Sequence, residues 1–384
     1  MDSASHMEQL HMKDQDGSFP ADSTSPESGD ESIALSQSSS DIIEQPEVMV
    51  EVRKTDTMGV GLFATGKIPR GTRVLSEKAI IQMIDPVYRS ELANRFCTKL
   101  ARLSQDRIET LSQLHCNPQV FKGEDRPAIA KWYNENSVTD AHGQELKGKK
   151  RQESRKKTLR RFGVFITNSS GITLDGQVGR GVFTLFSRIN HSCVPNARYG
   201  WNEAIQRFTV HVSRDIEPDE QIFISYLPLT YEGRAKRAEQ LEANWGFECA
   251  CEACRDPARE MGRVKMSILQ LLLTSYEQGN THVPRIMELD PLKNRGEALD
   301  IANQLAKLMV SEGLVTMELA KTYRTCSQLS LWLDDLDEAI EYAEKALDIE
   351  RCLIGPETEH LREDDLGCQY WLEKLQGLKR SQEA

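Results

Sequence analysis

Three cysteines fall within six residues, Cys249-x-Cys251-x-x-Cys254, and that spacing is the sharpest chemical signal in the chain. Soft thiolates in a tight bend suit zinc, which takes four tetrahedral ligands and is closed by protein where its role is structural. A fourth ligand must therefore come from elsewhere. Cys193, in the turn-prone run His191-Ser192-Cys193-Val194-Pro195, is the best candidate. Four thiolates would make the site purely structural, and loss of the metal would loosen residue 193 and the segment near 250 together. The bland alternative is three unliganded thiols in a loop. The chain is expected to be intracellular, where nine cysteines are not a disulfide framework because thiols stay reduced.

Two other patterns invite chemistry and are set aside. His191 beside Cys193 suggests a thiol nucleophile with its base, but residues two apart on a turn rarely meet in that way, and no third orienting group is evident. Gly59-x-Gly61-x-x-Ala64 fits a dinucleotide fingerprint on paper. That motif needs a helix directly after it, whereas Gly66, Pro69 and Gly71 follow within a few residues. What survives is a glycine turn between strands, where a ligand can approach the backbone closely.

The elements that must position these residues begin near Val48. Strand signals run over Val48–Val52, Leu62–Ala64 and Val74–Met83, with glycine and proline turns between them. Residues 88–135 read as helical, with Leu92, Phe96, Leu100 and Leu103 at helical spacing. Lys147–Arg161 is a basic run, read as a solvated loop or helix face, with a nuclear-import signal as runner-up. From Phe162 to Tyr226 short strand signals dominate, clearest at Gly171–Leu174, Phe208–Val212 and Gln221–Tyr226. After Cys254 the pattern turns helical, with segments expected at 259–277, 294–311, 314–334, 337–353 and 357–378. The stretch Leu336–Leu347 looks like the second helix of one tetratricopeptide unit.

Composition excludes more than it identifies. The chain has 384 residues, 39% hydrophobic and 28% charged, an ordinary globular balance. Its formal charge of −11 is concentrated at the N-terminus, where residues 1–47 hold eleven Asp and Glu against one Lys. The remainder is nearly neutral, which argues against a general nucleic-acid binder. That acidic, serine-rich tail is expected to be disordered. No apolar run has membrane-spanning length and no secretory pattern opens the chain.

Taken together, several strings resemble the SET-domain methyltransferases, especially the SET-and-MYND branch. They are Gly59-Val60-Gly61-Leu62-Phe63-Ala64, Thr167-Asn168, Arg188-Ile189-Asn190-His191-Ser192-Cys193-x-Pro195-Asn196, Asp219-Glu220-Gln221-Ile222-x-Ile224-x-Tyr226 and Trp245-Gly246-Phe247-x-Cys249-x-Cys251-x-x-Cys254. The branch's own zinc finger is missing, since only Cys97 and Cys116 occur between Val74 and Phe162. The pattern is closer to fungal-type SET proteins. Met58 also stands where the branch usually has a basic residue.

The resemblance implies an α+β chain with four parts. These are a disordered acidic tail over 1–47, a SET-type β-clip fold over 48–228 with a helical insert at about 85–160, a post-SET zinc-binding segment over 229–256, and an all-α, tetratricopeptide-like region over 257–384. It implies methyl transfer from S-adenosylmethionine to the ε-amine of protein lysines, histone or not. Backbone at Met58, Gly59 and Val60 would hold the cofactor's methionine part. Asn168, Asn190 and His191 would bind the cofactor, and Phe247 would stack on its adenine. Tyr226 would be the catalytic tyrosine where the lysine channel meets the cofactor. Cys193 would complete one zinc site with Cys249, Cys251 and Cys254. A protein partner at the helical region, a cytoplasmic or nuclear location, and no membrane or direct nucleic-acid binding complete the expectations.

The chemistry explains these residue types. Neutralising a free lysine amine, pKa about 10.4, costs roughly 4–5 kcal/mol at pH 7. An apolar channel beside a cationic sulfonium lowers that pKa by desolvation and by like charge. A tyrosine hydroxyl can then orient the lone pair, and in-line alignment can contribute up to about 7–11 kcal/mol.

Overall fold

A computed structural model describes residues 49–140, 142–228, 232–279, 290–355 and 367–383. The acidic segment 1–47, expected to be disordered, lies outside the described residues. The fold is α+β, with three small sheets followed by a helical C-terminal region.

The first sheet holds three of the residues singled out above, Val60, Asn190 and His191. Its strands are β1 (Val50–Lys54), β2 (Val60–Ala64), β7 (Asn190–His191) and β10 (Gln221–Ile224), ordered β1-β2-β10-β7. β10 runs antiparallel to β2 and parallel to β7, with Phe223 opposite Asn190 and Ile224 opposite His191. Segments more than a hundred residues apart in sequence thus meet at one edge. A second sheet has the order β3 (Arg73–Glu77), β9 (Arg207–Val212), β8 (Ala197–Asn202). A third has the order β4 (Ile81–Ile84), β6 (Gln177–Val182), β5 (Ser170–Leu174). The single strand signal over Val74–Met83 therefore divides between two sheets. A shared apolar core lies beneath them, including Leu62, Phe183, Ile189, Phe208, Val210 and Ile222.

The helical insert comprises α1 (Arg89–Leu100), α2 (Gln105–Ser112), α3 (Asp125–Glu135) and α4 (Gly148–Asn168), with a 3-10 turn at Pro118–Val120. The basic run forms the exposed first turns of α4. The helix then continues to Asn168, past the insert end expected near 160, because Phe162, Val164 and Phe165 bury against Phe96 and Ile129. Residues 162–168 are accordingly helix, where strand signals were expected to begin.

Beyond β10, α5 (Arg234–Trp245) is stopped by Gly246 at φ 77°, whose N–H returns to the carbonyls of Leu241 and Glu242. The short α6 (Glu252–Arg255) leads into α7 (Pro257–Glu277), which Asp256 caps through Ala258 N–H at 2.8 Å with Pro257 in the first turn. Then come α8 (Arg295–Ser311), α9 (Met317–Trp332), α10 (Leu336–Ile354) and α11 (Cys368–Glu383). Asn294 and Asp335 cap α8 and α10 with side-chain oxygens. The last helix was expected from 357; its described part begins at Cys368, and residues 356–366 lie outside the described set. No helix among the described residues is long and apolar enough to cross a membrane.

Candidate functional site

One cleft, about 1980 Å³, is lined by Met58, Gly59, Val60, Asn168, Asn190, His191, Tyr226 and Phe247. A single small-molecule site is typically about 300–1,000 Å³, so this cleft has room for a cofactor and an entering side chain. Every residue singled out for cofactor or catalysis lines it.

The glycine turn forms one wall. Gly59 sits at φ 73°, and a side chain there would project into open space, with nothing within 4 Å. Thr55 organises the turn: its N–H and hydroxyl both reach the Gly59 carbonyl, at 2.7 and 3.2 Å, and its Oγ1 accepts the Met58 N–H at 2.8 Å. The Val60 carbonyl accepts Asn190 Nδ2 at 3.0 Å, which ties β2 to β7. Asn168, at the end of α4, gives its amide hydrogens to the carbonyls of Val164 and His115, both at 2.7 Å. Its oxygen faces no such commitment among the described bonds.

At the centre stands Tyr226, two residues past β10. Its hydroxyl donates to the Ile189 carbonyl at 2.6 Å, and burial, with Tyr199 adding to it, pushes its pKa above the ordinary tyrosine range. The ring packs 5.0 Å from Trp245 and 5.4 Å from His191, with Phe247 edge-on at 6.3 Å. Trp245 and Tyr199, which also line the cleft, were not among the expected site residues. Trp245 lies inside the Trp245-Gly246-Phe247 string and could have been chosen from it. Tyr199 sits in β8, a strand with no sequence signal.

His191 corrects one expectation. Its Nε2 lies 3.3 Å from Cys193 Sγ, so residues two apart do meet here. The reason is a tight turn after β7, in which Ser192 Oγ accepts the Val194 N–H at 3.1 Å. The proton count still excludes a nucleophile–base pair. His191 Nδ1 accepts the Tyr226 N–H at 3.0 Å, so the neutral ring carries its hydrogen on Nε2 and gives it to the sulfur. Burial keeps that ring neutral, pulling its pKa down to about 4.

Cys193, Cys249, Cys251 and Cys254 form one cluster, with all four sulfurs within 4.8 Å of one another. Cys193 Sγ stands 3.6 Å from Cys254 Sγ and 4.0 Å from Cys249 Sγ. A tetrahedron with zinc–sulfur bonds of about 2.3 Å requires sulfurs about 3.8 Å apart. The donor set and its spacing fit such an ion. Leu227, Leu241 and Ala253, all buried, pack in one apolar cluster with Cys193, Cys249 and Cys254. Hydrogen bonds from Cys193, Cys249 and Cys254 hold the Cys251 pKa well below the usual thiol range, while the bond with Cys249 pushes that of Cys193 far up.

Comparison with known proteins agrees with this geometry. Residues 59–227 match the family model of the SET domain. The chain is 29% identical over 206 residues to histone-lysine N-methyltransferase set5 of Schizosaccharomyces pombe, covering 54% of this chain and 50% of that protein. It is 41% identical over 86 residues to protein-lysine N-trimethyltransferase SMYD5 of Homo sapiens, covering 21% and 20%. It is 24% identical over 194 residues to N-lysine methyltransferase SMYD2-A of Danio rerio, covering 47% and 43%. The chain thus spans half or less of the length of these relatives.

Proposed function

We propose, for a chain that carries a SET domain over residues 59–227 and is related to histone-lysine and protein-lysine methyltransferases, that it methylates the ε-amine of protein lysines with S-adenosylmethionine. The observation that carries this reading is the convergence of Gly59, Asn168, Asn190, His191, Tyr226 and Phe247 on one cleft. Bound there, S-adenosylmethionine would supply an activated methyl group.

The residues divide the work. The open backbone at Gly59 and the Asn168 oxygen receive the polar end of the cofactor, and Phe247 offers a face for its adenine. Tyr226, Trp245 and Tyr199 give the entering lysine an apolar path that favours its neutral amine. Tyr226 acts as an acceptor and orienter, not as a phenolate base. Its proton is committed to Ile189 and its pKa is raised, so its lone pairs face the amine N–H. A zinc ion on Cys193, Cys249, Cys251 and Cys254 would be structural, because four thiolates leave no open position. That would make 249–254 a post-SET clamp holding Phe247 against the cleft. The α9–α10 pair, joined by three residues, fits a tetratricopeptide-like unit offered to a protein partner.

The test is transfer of labelled methyl from S-adenosylmethionine to lysines in a protein extract, with acceptors mapped by mass spectrometry. Tyr226→Phe is expected to lower turnover about 10²–10³-fold, the range for losing one preorganised polar group, with cofactor affinity within about threefold. A protein that binds the cofactor yet labels no lysine would end the enzyme reading.

A further inference from the structure

Two arginines are the largest fully buried side chains in the described residues, and both stand against the thiol cluster. Arg237, on α5, is 0% exposed and donates from Nη2 to Cys254 Sγ at 3.6 Å; its Nη1 reaches the Glu232 carbonyl. Arg263, on α7, is likewise 0% exposed and donates from Nη2 to the Cys193 carbonyl at 3.1 Å. Each guanidinium is also ion-paired with a carboxylate. Glu260 is 3.6 Å from Arg237 Nη1, and Glu312 is 4.0 Å from Arg263 Nε. The short contacts of both guanidiniums include an atom of a cysteine in the cluster.

A guanidinium does not lose its proton in a protein, so burying one is costly unless an anion matches it. Glu260 and Glu312 supply matching charge, and the hydrogen bonds to the cysteine cluster are made in addition to those ion pairs. We propose that Arg237 and Arg263 are positioning residues for the metal. Through N–H bonds to Cys254 Sγ and Cys193 O they hold two of the four ligand residues in place and reduce the tendency of the sulfurs to leave the ion. This rests on the zinc reading above. It adds a consequence: Arg263 belongs to the first long helix of the C-terminal region, so metal retention depends on that helix being docked.

The experiment begins with the full-length protein as purified. Elemental analysis of the wild type tests the zinc reading by itself, since a chain without zinc would end that reading whatever the arginines do. The arginine proposal is then tested by the rate at which a colorimetric chelator strips zinc. Arg237→Met and Arg263→Met are expected to release it about 10–100-fold faster than wild type, the usual effect of removing an outer-sphere partner. Arg237→Lys and Arg263→Lys, which keep the charge but not the fork, should recover part of the difference. Urea midpoints of the metal-loaded proteins separate metal retention from simple loss of fold. If a Met variant does not fold, the Lys variants decide, with faster release than wild type expected. Release at the wild-type rate in Arg237→Met and Arg263→Met, or in the Lys variants when those do not fold, would overturn the proposal.

Discussion

The sheet half and the helical half of this molecule are held together in opposite ways. In the sheets, consecutive strands pair as well, but the contacts around the cleft come from distant sequence: Val60 meets Asn190, and Phe63 pairs with Gln221. An apolar core lies beneath the sheets, and single polar contacts such as Asn190 to Val60 fix the geometry at the cleft. In the helical region, neighbours in space are mostly neighbours in sequence, and they meet through alanine and leucine, as Ala302, Leu305 and Leu329 do in one core. Val60, Asn190 and His191 sit in strands of the first kind, while helix ends deliver Asn168 and Phe247 to the same cleft. Chemistry that needs several groups at one point uses non-local pairing, and the local helical packing supports it from outside. The halves join where the thiol cluster touches α7, and where α10 lies on β9.

The largest expected effect strikes the first joint. Cys254→Ser leaves three thiolates and breaks the contact with Arg237. Zinc content should fall from one per chain to near zero, with stability down by about 4–5 kcal/mol, the size expected when a structural metal is lost. Amide exchange should rise both in the Trp245–Phe247 segment and in α7. If only the segment near 250 loosened, the helical region would be independent of the cluster and the comparison would lose its first joint.

Sequence reading reached the thiol cluster, though not its contact with α7, because cysteine spacing is a strong local signal and Cys193 sits in a turn-prone stretch. It also reached the glycine turn and the residues facing the cleft, most of them through the family resemblance. It did not reach β6 or β8. Gly179, Gly181 and Gly200 weaken the strand pattern there, since glycine in a strand interior offers no side chain to pack. The structure gives the reason for the first two: a side chain at Gly179 would come within 2.7 Å of the Met83 carbonyl, and one at Gly181 within 3.2 Å of Ala79 and Phe183. Close strand approach, invisible in one sequence, put glycine inside strands. The same blindness hid Tyr199, which β8 carries into the cleft. The basic run is a helix face, within the reading made of it; what was missed is that burial of Phe162, Val164 and Phe165 carries α4 on through Asn168.

The second joint should respond to pH. His211, on β9, is 3% exposed, and Gly355 at the end of α10 packs so tightly on it that a side chain at Gly355 would lie 2.7 Å from its Nε2. Burial first, then Arg73 and Arg198, pulls its pKa down to about 4. The unfolded chain's histidine titrates near 6.5, so the unfolded state takes up protons first as pH falls. The stabilisation is full above about pH 6.5 and is lost progressively toward pH 4, about 3 kcal/mol for a shift of this size. His211→Gln should flatten that part of the stability–pH curve measured by urea titration. Parallel curves for the two proteins would mean that the joint does not hold His211 neutral.

The smallest effect gives the cleanest contrast, because the same substitution should change sign between halves. At Gly61 in β2, a methyl group would press into the Gln221 side-chain amide and lie 3.1 Å from Asn190 Nδ2. Gln221 is buried and cannot swing into solvent, so overpacking should cost about 1–3 kcal/mol. Asn190 would also shift from its bond to Val60, weakening cofactor affinity. At Gly377 in α11, nothing lies within 4 Å of the added methyl, and alanine is favoured over glycine in a helix interior by about 0.5–1 kcal/mol. Gly377→Ala should therefore raise the urea midpoint and leave cofactor binding alone, while Gly61→Ala lowers both. Equal tolerance at the two glycines would show that the sheet half repacks as freely as the helical half, and the geometric precision argued for the cleft would then have to come from the cofactor instead of from the folded chain.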